Sequence, residues 1–132
     1  MIQTQVPGYY RLQLGQFEIT ALHDGPIAMD AQLLSNIDAA EIERLAARMF
    51  VAYPTMEGTV NAYLVNTGTH LVLVDAGATK AFNPNLGNLL ENMQAAGYTP
   101  AQVDTILLTH LHPDHIGALI DADGKAVLEV AP

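Results

Sequence analysis

The 132-residue chain has no cysteine. Disulfides and thiolate zinc sites are therefore excluded, and any metal it holds must take nitrogen and oxygen ligands. Positive charge is scarce as well. Five Lys and Arg stand against fourteen Asp and Glu, a formal net charge of −9. Such a surface repels phosphate backbones, which argues against nucleic acid as a partner. It attracts cations, though only non-specifically. No apolar run approaches the ~20 residues that span a bilayer. The first residues, Met1-Ile2-Gln3-Thr4-Gln5-Val6-Pro7, carry neither the basic nor the apolar segment of an export signal. The expectation is a soluble protein, cytoplasmic or periplasmic, without a membrane partner. Half of the residues are apolar and only 14% are charged. That excludes a disordered chain and allows one domain with a real core.

Hydrophobic periodicity orders the chain. Tyr10 to Leu14 and Phe17 to Leu22 alternate apolar and polar residues around Gly15-Gln16, the pattern of a β-hairpin. His23-Asp24-Gly25-Pro26 breaks that pattern and reads as a turn. Asp38 opens a helix, with Glu41 completing a capping box, Ile37 set to staple onto Ile42, and Ile42, Leu45, Ala46 and Met49 at helical spacing. Residues 53–58 read as a loop. Thr59 to Asn66 and His70 to Val74 read as strands around a Thr67-Gly68 turn, the second covered on both faces. Asn83-Pro84 marks a second helix start and Gly97 its stop. Val103 to Thr109 reads as a buried strand. A turn at 121–124 and a short strand at 125–130 follow. The order ββ, α, ββ, α, β, β argues for an α/β layered domain, helices packed on a mixed sheet.

The chemistry concentrates in His110-Leu111-His112-Pro113-Asp114-His115, directly after that last apolar run. His110 and His112 are one residue apart, so in extended backbone both point the same way and can ligate one metal. Asp114 and His115 suit a second. Two divalent ions about 3.5–4 Å apart can share an activated water. Nitrogen and oxygen ligands favour zinc, with iron, manganese or cobalt as alternatives. Asp114 has two readings: a ligand that also accepts a hydrogen bond from the attacking hydroxide, and an N-cap for the turn at 116–119. Asp75 ends another apolar strand. It is either a turn residue or a carboxylate that orients a ligand, and the Thr109 hydroxyl is a candidate for the same task. His23 reads as a turn residue and His70 as a solvated strand start.

With Thr-His-Leu-His-Pro-Asp-His-Ile-Gly-Ala-Leu at 109–119, the chain resembles the metallo-β-lactamase superfamily, whose H-x-H-x-D-H signature it matches in full. Val74-Asp75-Ala76-Gly77 matches the strand-end D-x-G that accompanies it. Tyr9-Tyr10-Arg11, residues 17–22, Asp24-Gly25 and residues 63–68 look like the methyl parathion hydrolase and lactonase-like branch. The resemblance implies an αβ/βα sandwich and a dinuclear metal hydrolase, with zinc as the expected metal. Such an enzyme attacks small lactones, esters or phosphotriesters through a metal-bound hydroxide. It also implies His110 and His112 on the first metal, Asp114 and His115 on the second, and Asp75 behind them. Family members are about twice this length and supply a further His, a bridging Asp and a last His from their later half. This chain has no histidine after His115. Residues 1–132 are therefore expected to form the N-terminal half of the fold, a domain truncated at its C-terminus. An uncovered apolar sheet face and a free edge near Val127–Val130 would favour association, including a homodimer in which each copy covers the other. The competing expectation is a catalytically incomplete metal-binding fragment.

Overall fold

The computed structural model describes Met1, Gln3, residues 6–121 and residues 123–128. Among these, five strands form one mixed sheet in sequence order: β1 (Tyr9–Leu14), β2 (Phe17–Asp30), β3 (Thr55–Asn66), β4 (Leu71–Val74) and β5 (Thr105–Leu107). The helices are α1 (Ala39–Arg48), α2 (Leu89–Ala95) and α3 (Pro113–Ile116). The chain divides into two compact units, Met1–Gly25 with Val60–Pro132, and Pro26–Thr59.

In the larger unit β1 and β2 are antiparallel with Leu14 opposite Phe17, so Gly15-Gln16 forms the two-residue turn expected of it. β3 and β4 are antiparallel around Thr67-Gly68. β4 and β5 are parallel, with α2 in the crossover between them. Alternate residues of the strands turn Leu22, Ala62, Leu64, Leu71 and Leu73 to one side, where Leu89, Met93 and Ala96 on and after α2 cover them. Each fully buried leucine here contributes roughly 1.5–3 kcal/mol. On the opposite side Tyr63, Val74 and Leu107 line up across β3, β4 and β5. There Tyr63 is 44% and Leu107 54% exposed, so this face is largely bare.

The smaller unit holds α1, which buries Ile42 and Ala46 while Leu45 and Met49 stay exposed. Asp38 precedes the helix but caps nothing with its side chain. Glu41 instead forms a two-pronged ion pair with Arg44, at 2.7 and 2.6 Å, so the expected capping box is not made.

Several boundaries differ from the sequence reading. His23-Asp24-Gly25-Pro26 is not a turn: β2 runs straight through it. β3 begins at Thr55, inside the expected loop. In β4, Leu71 and Leu73 are buried but Val72 and Val74 only half-buried, so one face is covered rather than two. β5 is three residues long and mostly exposed, a sheet edge instead of a buried strand. The second helix starts at Leu89, not after Asn83-Pro84. It does end where Gly97 predicts: the Gly97 and Tyr98 amides bond back to the carbonyls of Gln94 and Met93. The turn at 121–124 is anchored by Asp121, which accepts from the amides of Asp123 and Lys125 at 2.9 Å. The strand expected at 125–130 appears only as an isolated Ile120–Ala126 bridge, and its end at 129–130 lies outside the described residues.

Candidate metal centre

The larger unit carries the whole histidine cluster at the C-terminal ends of β4 and β5. β4 is followed by Asp75, which adopts a positive φ of 60°. For a residue with a Cβ this costs about 1–2 kcal/mol. The conformation is held from both sides. The Asp75 amide donates to the Leu107 carbonyl at 2.8 Å, and the Ala76 amide to the His115 carbonyl at 2.8 Å. Two further bonds tie the loop after β4 to the turn after α3: Gly117 to the Gly77 carbonyl at 2.7 Å and Ala118 to the Ala76 carbonyl at 2.8 Å. Gly117 must be glycine here, because a Cβ would sit 2.4 Å from the Ala78 carbonyl carbon.

This bend buries the Asp75 carboxylate, which is 7% exposed, beneath the cluster. It accepts from the Thr109 amide at 2.8 Å and from the Thr109 hydroxyl at 3.0 and 2.9 Å. His115 Nδ1 lies 2.9 Å from the other face of the carboxylate. Burial alone pushes the Asp75 carboxyl up. The Thr109 amide, the His115 ring and the Thr109 hydroxyl outweigh it and hold the group below the usual carboxylate range. An ionised carboxylate can only accept, so His115 must carry a proton on Nδ1. In the neutral ring that leaves Nε2 with a free lone pair.

The same logic reaches His110. Thr109 spends its hydroxyl proton on Asp75, so its oxygen accepts from His110 Nδ1 at 3.1 Å. His110 Nε2 is then unprotonated in the neutral ring. It faces His112 Nδ1 at 3.0 Å. Two nitrogens bound to one tetrahedral zinc at 2.0–2.1 Å stand about 3.3 Å apart, so this pair fits a shared cation. The fourth side chain, Asp114, places Oδ2 3.4 Å from His115 Nε2. The ring centroids of His110 and His115 are 4.0 Å apart. The cluster therefore falls into two adjoining pairs, His110–His112 and Asp114–His115. Among the described residues no group of three His, Asp or Glu side chains is arranged to hold a metal ion. The donor chemistry suits a divalent metal, and the donors present come two at a time.

Asp114 is not an N-cap. It lies within α3, whose cap is His112, and the following 3₁₀ turn Gly117–Leu119 is capped by Ile116. His23 sits half-buried in β2 with Nδ1 3.4 Å from Asn61. His70 is exposed just before β4, beside Thr69. Neither joins the cluster. The residue that the sequence reading passed over is Asp24. It is fully buried, and its carboxylate accepts from three backbone amides of the segment that begins at Asp75: Ala78, Gly87 and Leu89.

The chain is similar to known proteins in sequence and in fold. The family model of the metallo-beta-lactamase superfamily matches residues 55–126, more than half of the chain. The structure superposes on the hydrolase AbOPH of the beta lactamase superfamily with a TM-score of 0.88 and 42% identity, over 95% of this chain and 43% of that one. It superposes on the dizinc quorum-quenching lactonase AidC with a TM-score of 0.83 and 32% identity, over 92% and 42%. The atrochrysone carboxyl ACP thioesterase of Passalora fulva is 32% identical over 117 residues, 86% of this chain and 33% of that protein. The chain belongs to the metallo-beta-lactamase superfamily. Its five-stranded mixed sheet with three helices matches the fold of the two solved relatives over the part it covers, and it spans between a third and under half of the length of the three relatives.

Proposed function

We propose that this chain carries the metal-binding segment of a metal-dependent hydrolase that transfers acyl or phosphoryl groups to water. The observation that carries the reading is one buried carboxylate, Asp75, setting the tautomers of two histidines whose Nε2 atoms lie beside the other two ligand candidates, His112 and Asp114. His110 and His112 would hold one ion, Asp114 and His115 a second, with zinc favoured by the donor set and iron, manganese or cobalt as alternatives. When bound, such ions supply Lewis acidity and an activated water. The residues of this chain do the rest of what it contributes. Asp75 and Thr109 fix the imidazoles so that Nε2 of both His110 and His115 stays free of protons. Asp114, partly buried beside His115, would accept a hydrogen bond from the attacking water. The substrate class is a small lactone or ester, with phosphotriesters as a further candidate. Relatives described as a lactonase and a carrier-protein thioesterase add the thioester to that range. Among the described residues no third donor joins either pair, so further ligands would come from water or from other polypeptide.

The test is a zinc titration with hydrolysis assays on an aryl ester, an acyl homoserine lactone, an acyl thioester and a phosphotriester. Two tightly bound ions per chain, with turnover abolished in His112→Ala, support the reading. A second reading has its own observation: a row Tyr63, Val74 and Leu107 exposed at Tyr63 and Leu107, in a chain with two incomplete ligand pairs. It is an inert metal-binding half-fold that pairs as a homodimer over that face. Weak binding without turnover, with a dimer by light scattering, would select it.

A further inference from the structure

Asp24 lies in mid-β2, outside the histidine cluster, and nothing in the proposed chemistry uses it. Its burial is complete. A buried carboxylate is tolerated only where its charge is matched by donors. Here every donor comes from the segment between Asp75 and α2. Oδ2 accepts from the Ala78 and Gly87 amides, both at 3.0 Å, and Oδ1 from the Leu89 amide at 2.9 Å. The Asp24 carbonyl adds the Asn88 amide at 3.2 Å and the Asn88 Nδ2 at 2.7 Å. Leu89 is the first residue of α2, and Asn88 makes no side-chain cap, so Asp24 caps this helix from a distant strand. Gly77 is fitted to the same carboxylate. It has a φ of 56°, and a Cβ there would lie 2.7 Å from Asp24 Oδ1.

The loop Asp75–Ala78 is thus held at both ends by carboxylates. Asp75 grips His115 and Thr109 at its start. Asp24 grips Ala78 at its finish, three residues on. Between them, Ala76 donates to the His115 carbonyl and accepts from the Ala118 amide, and Gly77 accepts from the Gly117 amide. We infer that Asp24 is a positioning residue for the metal centre: by fixing the finish of this loop it holds Asp75 in its strained conformation and so keeps the Asp75–His115 hydrogen bond.

Asp24→Asn keeps the shape but turns an NH2 group toward at least one amide. Gly77→Ala presses on the same contact from the opposite side and leaves Asp24 in place. Leu22→Ala, a fully buried neighbour in β2, serves as the control for general loss of stability. All three are compared at temperatures equally far below their own melting midpoints. The readout is the ring Nδ1–H resonance of His115 in metal-free protein, with zinc affinity as a second arm. The expected result is a lost or fast-exchanging resonance in Asp24→Asn and Gly77→Ala, with zinc affinity lower by at least about tenfold, and an unchanged resonance in Leu22→Ala. Resonances in Asp24→Asn and Gly77→Ala that match Leu22→Ala would overturn the inference, as would absence of the resonance from the unaltered protein. If Asp24→Asn does not fold, Gly77→Ala decides alone. Only the zinc arm rests on the proposed metal reading. A protein that binds no zinc sinks that reading, and the His115 resonance still judges Asp24.

Discussion

The two sides of the histidine cluster are built differently. On one side His115 and, through Thr109, His110 hang from a buried carboxylate that is itself clamped into the sheet. On the other, His112 has His110 as its ring partner, Asp114 pairs with His115, and Leu111, between His110 and His112, is 73% exposed. The rooted side fixes which nitrogens carry protons. The open side offers donors that only a bound cation would bring into register. Preorganisation is invested where the scaffold can reach, at the strand ends, and the exposed turn is left to be ordered by its ligand.

Cutting the root should have the largest effect. Asp75→Ala strands the Thr109 amide and the His115 ring without a buried acceptor. It is expected to lower unfolding stability by about 1–3 kcal/mol in urea melts and zinc affinity by about 10–100-fold in titrations. The same carboxylate should give the protein an acid limb. Its folded pKa lies below the unfolded value, so its contribution is fully present above the unfolded pKa and lost as pH falls through the folded one. Stability should therefore drop below about pH 4, and this part of the drop should vanish in Asp75→Asn. A profile that is unchanged in that variant contradicts the assignment.

Cutting one branch should cost less. Thr109→Val keeps the shape, removes the link to His110 and leaves His115 on Asp75. About 0.5–1.5 kcal/mol is expected by urea melt. The open side should cost almost nothing in stability. His112→Ala and Leu111→Ser should fall within about 0.5 kcal/mol of the unaltered protein, while His112→Ala alone loses an equivalent of bound zinc. A strongly destabilised His112→Ala would erase the contrast between the two sides.

The open side was the legible one. Ligand-type residues crowded into His110–His115 show themselves without any knowledge of the fold, and Asp75 shows itself as the end of an apolar strand. The rooted side was only half legible. Asp24-Gly25-Pro26 has the local chemistry of a turn, and the amides that make it a buried hub lie 54 to 65 residues away. The same distant contact explains the misplaced helix start. Asn83-Pro84 satisfies the local rule, but the donor that begins α2 is capped by Asp24 instead. β5 misled for a related reason: an apolar run reports hydrophobicity and not which face is covered, and at this sheet edge Leu107 and Leu108 are exposed.

The central claim is that Asp75 sets the proton positions through which the cluster would take its metal. Ring-nitrogen NMR of histidine-labelled protein, before and after zinc, tests it most directly. The account predicts that His110 and His115 hold their protons on Nδ1 throughout, and that zinc shifts Nε2 of both and Nδ1 of His112. Zinc attaching to His115 through Nδ1, or His115 protonated on Nε2 in the metal-free protein, would contradict it.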